Sequence, residues 1–188
     1  MKLIRAYFPL FLTASLIIAL DQWTKWLVRE NIPFGGQWLP DGLTWLMPYA
    51  RLVHWYNTGV AFGLFQGYGW VSGALALVVV GLIIYYYPRP EASEWWMRLA
   101  LGMQAAGALG NLIDRLTLDG KVTDFISVGT FPVFNIADAS ITLGVGVLLL
   151  GVYLKERAEQ KQARAESDSL EGGPEREAIV DAGVAQGE

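Results

Sequence analysis

Residues 70–87 are eighteen consecutive positions without a charge, closed by Pro88 and Pro90. A helix needs about 20 mainly apolar residues to cross the hydrocarbon of a bilayer. Backbone groups at that depth must be satisfied within the segment, so such a run points to a membrane helix. Three further stretches read the same way: 7–28, apolar to Leu20 and amphipathic beyond it; 95–113, with Arg98 near enough to its end to snorkel; and 136–154, stopped by Lys155 and Arg157. The chain is 53% hydrophobic and 13% aromatic, too apolar for an ordinary soluble domain of 188 residues. The expectation is an all-α membrane protein of four transmembrane helices with a small outward-facing β-rich or interfacial element.

Four spans place both termini on one side. Lys2, Arg5, Arg89, Arg98, Lys155, Arg157, Lys161 and Arg164 flank that face, which the positive-inside rule makes cytoplasmic. The N-terminus resembles a signal peptide, but no small-x-small cleavage site follows, so the first span is read as uncleaved. The outward segment 29–69 carries Trp38, Trp45 and Trp55, and the run from Arg51 to Tyr56 has the β-branched and aromatic content of a strand. It is expected to lie at the headgroup interface and cover something. The membrane domain thus spans 1–157. Residues 155–188 hold nine acidic and five basic residues, against nine of each in 1–154, so the net charge of −4 belongs to the tail. The region 158–188 reads as a disordered acidic cytoplasmic tail beyond a helical extension of the last span.

With no cysteine and one histidine, His54, the chain offers no disulfide, no thiol nucleophile and no multi-His or Cys metal site. No metal and no cofactor is expected. Neither Ser-x-x-Lys nor Gly-x-Ser-x-Gly occurs, so the acid–base groups available are carboxylates.

Their depths coincide. Asp21 lies sixteen residues beyond Arg5, Asp114 sixteen beyond Arg98 and Asp138 seventeen before Lys155, each about 24 to 26 Å along a helix axis. Asp124, in the connection between the last two spans, sits at the same level. Ionisable groups at membrane depth are expensive, on the order of 2.5 to 3.5 kcal/mol each, unless they pair or face water. One account is a polar ring in which Asp21 pairs with Lys25, Asp114 pairs with Arg115 or Lys121, and Asn135 and Asp138 cap the last helix. The other is an aspartyl hydrolase, in which two carboxylates share a proton and one activates water. Asp124 and Asp138 are fourteen residues apart, across a loop containing Gly129 and Pro132 that lets the chain fold back.

Five motifs occur in order: Asp21-Gln-x-x-Lys25, Asn57-Thr-Gly-Val-Ala-Phe-Gly63, Gly107-Ala-Leu-Gly-Asn-Leu-Ile-Asp-Arg115, Val122-Thr-Asp-Phe125 and Phe134-Asn-Ile-Ala-Asp138. This set resembles lipoprotein signal peptidase, or signal peptidase II, over residues 7–154. The resemblance implies a four-span aspartyl protease of the cell membrane that cuts the signal peptide from prolipoproteins before a cysteine already carrying a diacylglyceryl group. It implies a catalytic pair at Asp124 and Asp138, with Asp21, Asn57, Asn111, Asp114, Arg115 and Asn135 binding substrate or supporting the pair. Asp114 is the competitor of Asp124 for partnering Asp138. The chain departs from the family pattern at Thr123, where valine is usual, and in its long acidic tail.

The implied partners are a lipidated prolipoprotein and membrane lipid. No nucleic acid is expected, and a monomer is favoured. His54 reads as structural, and Gly102, Gly107 and Gly110 as close-packing positions. A small transporter or proton channel would spread its acids through the membrane depth, and a membrane adaptor would tolerate their neutralisation.

Overall fold

The computed structural model describes residues 2–59, 69–89 and 94–172. Residues 60–68, part of the segment 29–69 read from the sequence, and 173–188 of the tail lie outside the described residues. The elements in order are α1 (Lys2–Asn31), β1 (Gln37–Trp38), a 3-10 turn (Asp41–Leu46), β2 (Ala50–Asn57), α2 (Gly69–Tyr86), α3 (Trp95–Thr117), β3 (Val122–Val128) and α4 (Ile136–Gly172). Contacts divide the chain into two units, Met1–Leu148 and Leu149–Glu188.

Within the first unit, α3 is the central helix and packs against both α1 and α2. Its buried positions are small: Ala100, Gly102, Ala105, Ala106, Gly107, Ala108 and Gly110. A Cβ on Gly107 would collide with the carbonyl oxygen of Ala137, and one on Gly110 would lie 2.8 Å from Asp21 Oδ2. The glycines expected to permit close packing therefore do so. Large apolar side chains on the other helices point outward, including Phe11, Leu16, Trp70 and Leu75, an exposure suited to a lipid environment and not to water.

Among the described residues, three helical stretches are long and apolar enough to cross a membrane: Ala6–Asn31, Gly69–Tyr86 and Ile136–Ser167. Helix α3 is not among them, because Gln104, Asn111, Asp114 and Arg115 lower its mean hydropathy. A helix covered by its neighbours has no need of bulky apolar side chains for lipid.

The expected β-rich element is a three-stranded antiparallel sheet in the order β1-β2-β3. Ala50 pairs with Val128, Trp55 with Asp124 and Asn57 with Val122, with a register irregularity between Leu52 and Trp55. Strand β2 lies where the sequence placed a strand. Strand β3 was read as part of a connection, although six of its seven residues, Val-Thr-Asp-Phe-Ile-Ser-Val, are β-branched, aromatic or hydroxyl-bearing. His54 is buried between Phe34 and Tyr56, with Nδ1 2.7 Å from the Ile32 carbonyl oxygen, so its role is packing.

In the second unit the helix continues through Gly172, so the helical extension expected after the last span reaches at least that far. Glu, Gln, Ala, Lys and Arg are all good helix formers. An i,i+4 pair, Lys155 with Glu159 at 3.9 Å, adds modest support.

Candidate active site

Asp21, Gln22, Lys25 and Arg29 share one face of α1 because their spacings follow the helical repeat. Asp21 and Lys25 form an ion pair at 2.8 Å, with both side chains fully buried. Lys25 also lies 3.3 Å from Asp114 Oδ2 and donates to Asn111 Oδ1 at 2.9 Å. Asp114 accepts from Gln22 at 3.0 Å and from the Thr123 N–H at 2.9 Å, with Arg29 4.0 Å away. The other oxygen of Asp21 accepts from the Ala137 N–H at 2.9 Å. Two buried carboxylates and one ammonium thus tie α1, α3, β3 and the start of α4 together.

Asp114 does not pair with Arg115 or Lys121, as the polar-ring account supposed; its cations come from α1. The Arg115 guanidinium donates instead to the carbonyl oxygens of Gly59 at 3.1 Å and Asn111 at 3.3 Å. Its Nε is buried without a partner among the described residues.

Asp124 and Asp138 are joined through two carboxamides. Asn111 Nδ2 donates to Asp138 Oδ1 at 2.8 Å, and Asn135 Nδ2 donates to Asp124 Oδ1 at 2.7 Å. Asn135 Nδ2 also reaches Asn111 Oδ1 at 3.1 Å, which closes the chain. Asp138 sits in the first turn of α4, where Asn135 caps the helix, so the capping account is correct as far as it goes. Asp124 is 2% exposed, on β3. Burial and then the neighbouring charge of Asp138 push its carboxyl up to about 7, against opposing hydrogen bonds from Asn57 and Asn135 and the charge of Lys25. A carboxyl held there carries a proton near neutral pH and is able to give it up.

Asn57 ends β2. Its Oδ1 accepts from the Gly59 N–H at 3.0 Å, the bond of an Asx turn, and its side chain also hydrogen-bonds Asp124. Both roles leave it on the wall of a cavity of about 720 Å³ whose polar end is formed by Asn57, Asn111, Arg115 and Asp138. The remaining wall is mainly apolar, supplied by α2, α4 and the loop from Phe131 to Phe134. A half-buried carboxylate therefore opens onto an apolar space.

The network thus gathers Asp21, Asn111, Asp114, Asp124, Asn135 and Asp138, with Asn57 and Arg115 at its edge. Sequence reasoning omitted Lys25, Gln22 and Arg29 from the site. The spacing 21, 22, 25, 29 was the available signal, since polar residues repeating on one face of an apolar helix must meet polar partners. Thr123 was noted only as a departure from the family pattern. Its hydroxyl accepts from Arg29 at 3.0 Å, a bond valine lacks.

The family model for signal peptidase (SPase) II matches residues 13–154. The lipoprotein signal peptidase of Shouchella clausii is 40% identical over 157 residues, covering 82% of this chain and 99% of that one. That of Desulfitobacterium hafniense (strain DSM 10664 / DCB-2) is 37% identical over 153 residues, covering 81% and 97%. A solved bacterial membrane enzyme, determined by the in meso method at 2.3 Å resolution, superposes with a TM-score of 0.70 at 28% identity, covering 80% of this chain and 90% of its own.

Proposed function

The chain belongs to the signal peptidase II family, and on that footing we propose that it is an aspartic endopeptidase removing the signal peptide from diacylglyceryl-modified prolipoproteins. It cuts before the lipid-bearing cysteine, using Asp124 and Asp138. The observation that carries this reading is the hydrogen-bonded chain Asp124–Asn135–Asn111–Asp138 at the polar end of an apolar cavity.

In this mechanism Asp124 holds the shared proton and Asp138 is the base. Asp138 takes a proton from water as its oxygen attacks the scissile carbonyl carbon, while Asp124 gives its proton to the carbonyl oxygen. The tetrahedral intermediate is then a neutral gem-diol. Asp138 returns its proton to the amide nitrogen, the C–N bond breaks, and Asp124 recovers a proton from the second hydroxyl. Both carboxyls end as they began, and no metal takes part. Asn111 and Asn135 hold the two acids in register, whereas Lys25, Asp21 and Asp114 hold the elements that carry them. Asn57 and Arg115, at the cavity wall, bind the substrate backbone.

The accompanying topology is four spans with α3 included. Its 23 residues reach about 35 Å, enough to cross, and its polar groups are covered by neighbouring helices. Both termini are cytoplasmic and the site lies at the outer face, in the cell membrane. The sheet borders the site there, and a single chain carries every group required.

The test is cleavage of a lipidated prolipoprotein by purified wild type and Asp124→Asn side by side. Wild type is expected to release the signal peptide and the variant to release none. Turnover by the variant at the wild-type rate overturns the pair.

A further inference from the structure

Lys25 makes one contact that holding α1 against α3 does not require. Its ammonium is fully buried, and beside Asp21 at 2.8 Å and Asp114 at 3.3 Å it donates to Asn111 Oδ1 at 2.9 Å. An ammonium only donates hydrogen bonds. The atom of Asn111 that faces it must therefore be the carbonyl oxygen, and the amide nitrogen is left to face Asp138 Oδ1, at 2.8 Å. Asn135 is fixed in the same manner by a different donor: the Asp138 N–H holds its Oδ1 at 2.9 Å, so its Nδ2 turns to Asp124 Oδ1 at 2.7 Å. Each carboxamide thus has its oxygen against a group that can only donate and its N–H against one of the two acids.

The two arms differ in charge. Asn135 is oriented by a neutral peptide N–H, whereas Asn111 is oriented by a cation. A cation on an amide oxygen draws electron density from the nitrogen and strengthens its N–H as a donor, the polarisation that runs along any buried chain of hydrogen bonds. A stronger donor favours an anion over a neutral carboxyl. Asp138 also accepts from the Asn135 N–H on Oδ2 at 3.3 Å, so each of its oxygens has a donor from the protein. The other groups acting on Asp138 are Arg115 on α3, Asp124 on β3 and, behind Asn111, Lys25 and Asp21 on α1. Asp21 and Asp114 offset the bare charge of Lys25 at close range. What reaches Asp138 is the direction and polarity of the Asn111 amide.

We propose that Lys25 is a positioning residue for cleavage: by fixing the Asn111 carboxamide it aims a polarised N–H at Asp138 and so makes Asp138, rather than Asp124, the base. This rests on the peptidase reading given above and adds to it the group that gives the pair its direction.

The test is a cycle of substitutions read by cleavage of a lipidated prolipoprotein. Lys25→Met is made in an Asp114→Asn chain, so that the cation leaves together with one of its acids, and both chains are remade with Asn111→Ala. With Asn111 present, loss of Lys25 is expected to lower kcat by about 10- to 100-fold, with KM changed by less than about twofold because Lys25 stands behind Asn111 and off the cavity wall. In the Asn111→Ala chains the same loss is expected to lower kcat by less than about threefold, since no carboxamide is left to orient, while its effect on thermal unfolding persists. A lysine that only holds helices together changes kcat by the same factor in both backgrounds. That result, or an unchanged kcat with Asn111 present, overturns the proposal and leaves the peptidase reading in place. A wild type that cleaves nothing overturns both. Asp21→Asn takes the place of Asp114→Asn if that chain is poorly folded.

Discussion

Asn135 and Asp138 hold each other at the start of α4: the Asp138 N–H donates to Asn135 Oδ1 at 2.9 Å, and the Asn135 N–H donates to Asp138 Oδ2 at 3.3 Å. This is the reciprocal arrangement of a capping box, with aspartate in the acidic position. The same Asn135 side chain turns its Nδ2 to Asp124. Helix initiation and alignment of the two acids therefore depend on one residue.

The two jobs are separable by substitution. Serine is a good N-cap but too short to reach Asp124, whereas alanine does neither. Asn135→Ser and Asn135→Ala are both expected to lose roughly 10- to 100-fold in turnover, the worth of a hydrogen bond to a charged group. Only Asn135→Ala should also lose about 1 kcal/mol of stability. Cleavage assays alongside thermal unfolding in detergent distinguish them, and wild-type turnover by Asn135→Ser contradicts the alignment role.

Asp124 sets a pH dependence. Its carboxyl is pushed up to about 7 by burial and the charge of Asp138, and the proposed attack needs it protonated, so kcat/KM should fall as pH rises past about 7. The hydrogen bond from Asn57 favours the ionised form. Removing it in Asn57→Ala should therefore move this limb to higher pH, and a pH–rate profile in which the limb stays or moves down is the opposing result. Stability follows the same sign. The folded protein binds this proton more tightly than an unfolded chain, whose carboxyl sits near 3.8. The contribution is complete below that value and is lost as pH rises to about 7.

Lys25 is the cation for two buried acids. Lys25→Met keeps much of the volume but leaves Asp21 and Asp114 uncompensated except for Arg29 at 4.0 Å from Asp114. The expected loss is about 3 to 5 kcal/mol, with Asp114→Asn in the same chain recovering part of it. Thermal unfolding of the single and double variants measures this. A single-variant loss below about 1 kcal/mol is incompatible with the network.

Catalysis is expected to survive exhaustive chelation, because a carboxylate pair without His or Cys is a poor zinc site beside the usual nitrogen and sulfur ligands. Assaying dialysed enzyme with and without added zinc decides it: activity that disappears on chelation and returns with zinc contradicts the proposed chemistry.

The helices were legible because lipid leaves few alternatives to an apolar helix: α2 begins and ends within a residue of the stretch read from sequence, and α4 begins at the residue expected. The common level of Asp21, Asp114 and Asp138 was legible because helical rise is constant. Which partner each acid takes was not, since pairing depends on how α1 and α3 are rotated about their axes, and adjacent residues such as Asp114 and Arg115 point in different directions. Strand β3 was hidden by context. Its residues sit between two apolar helices, and a seven-residue run there reads as connection until β2 is available to pair with it. Asn57, expected from its motif to bind substrate or support the pair, also has a local role that the motif did not disclose: its oxygen makes a turn with the Gly59 N–H while its side chain serves Asp124.

The ion pair between Asp21 and Lys25 lies wholly within α1, four residues apart. Its two charges therefore cancel as soon as that helix forms, before α2 and α3 have been synthesised. Asp114 has no such partner on its own helix and meets its cations only when α3 docks against α1. The order of the chain thus lets the first helix enter the bilayer with its buried aspartate and lysine already paired, and makes docking of the third the step at which the charge of Asp114 is compensated.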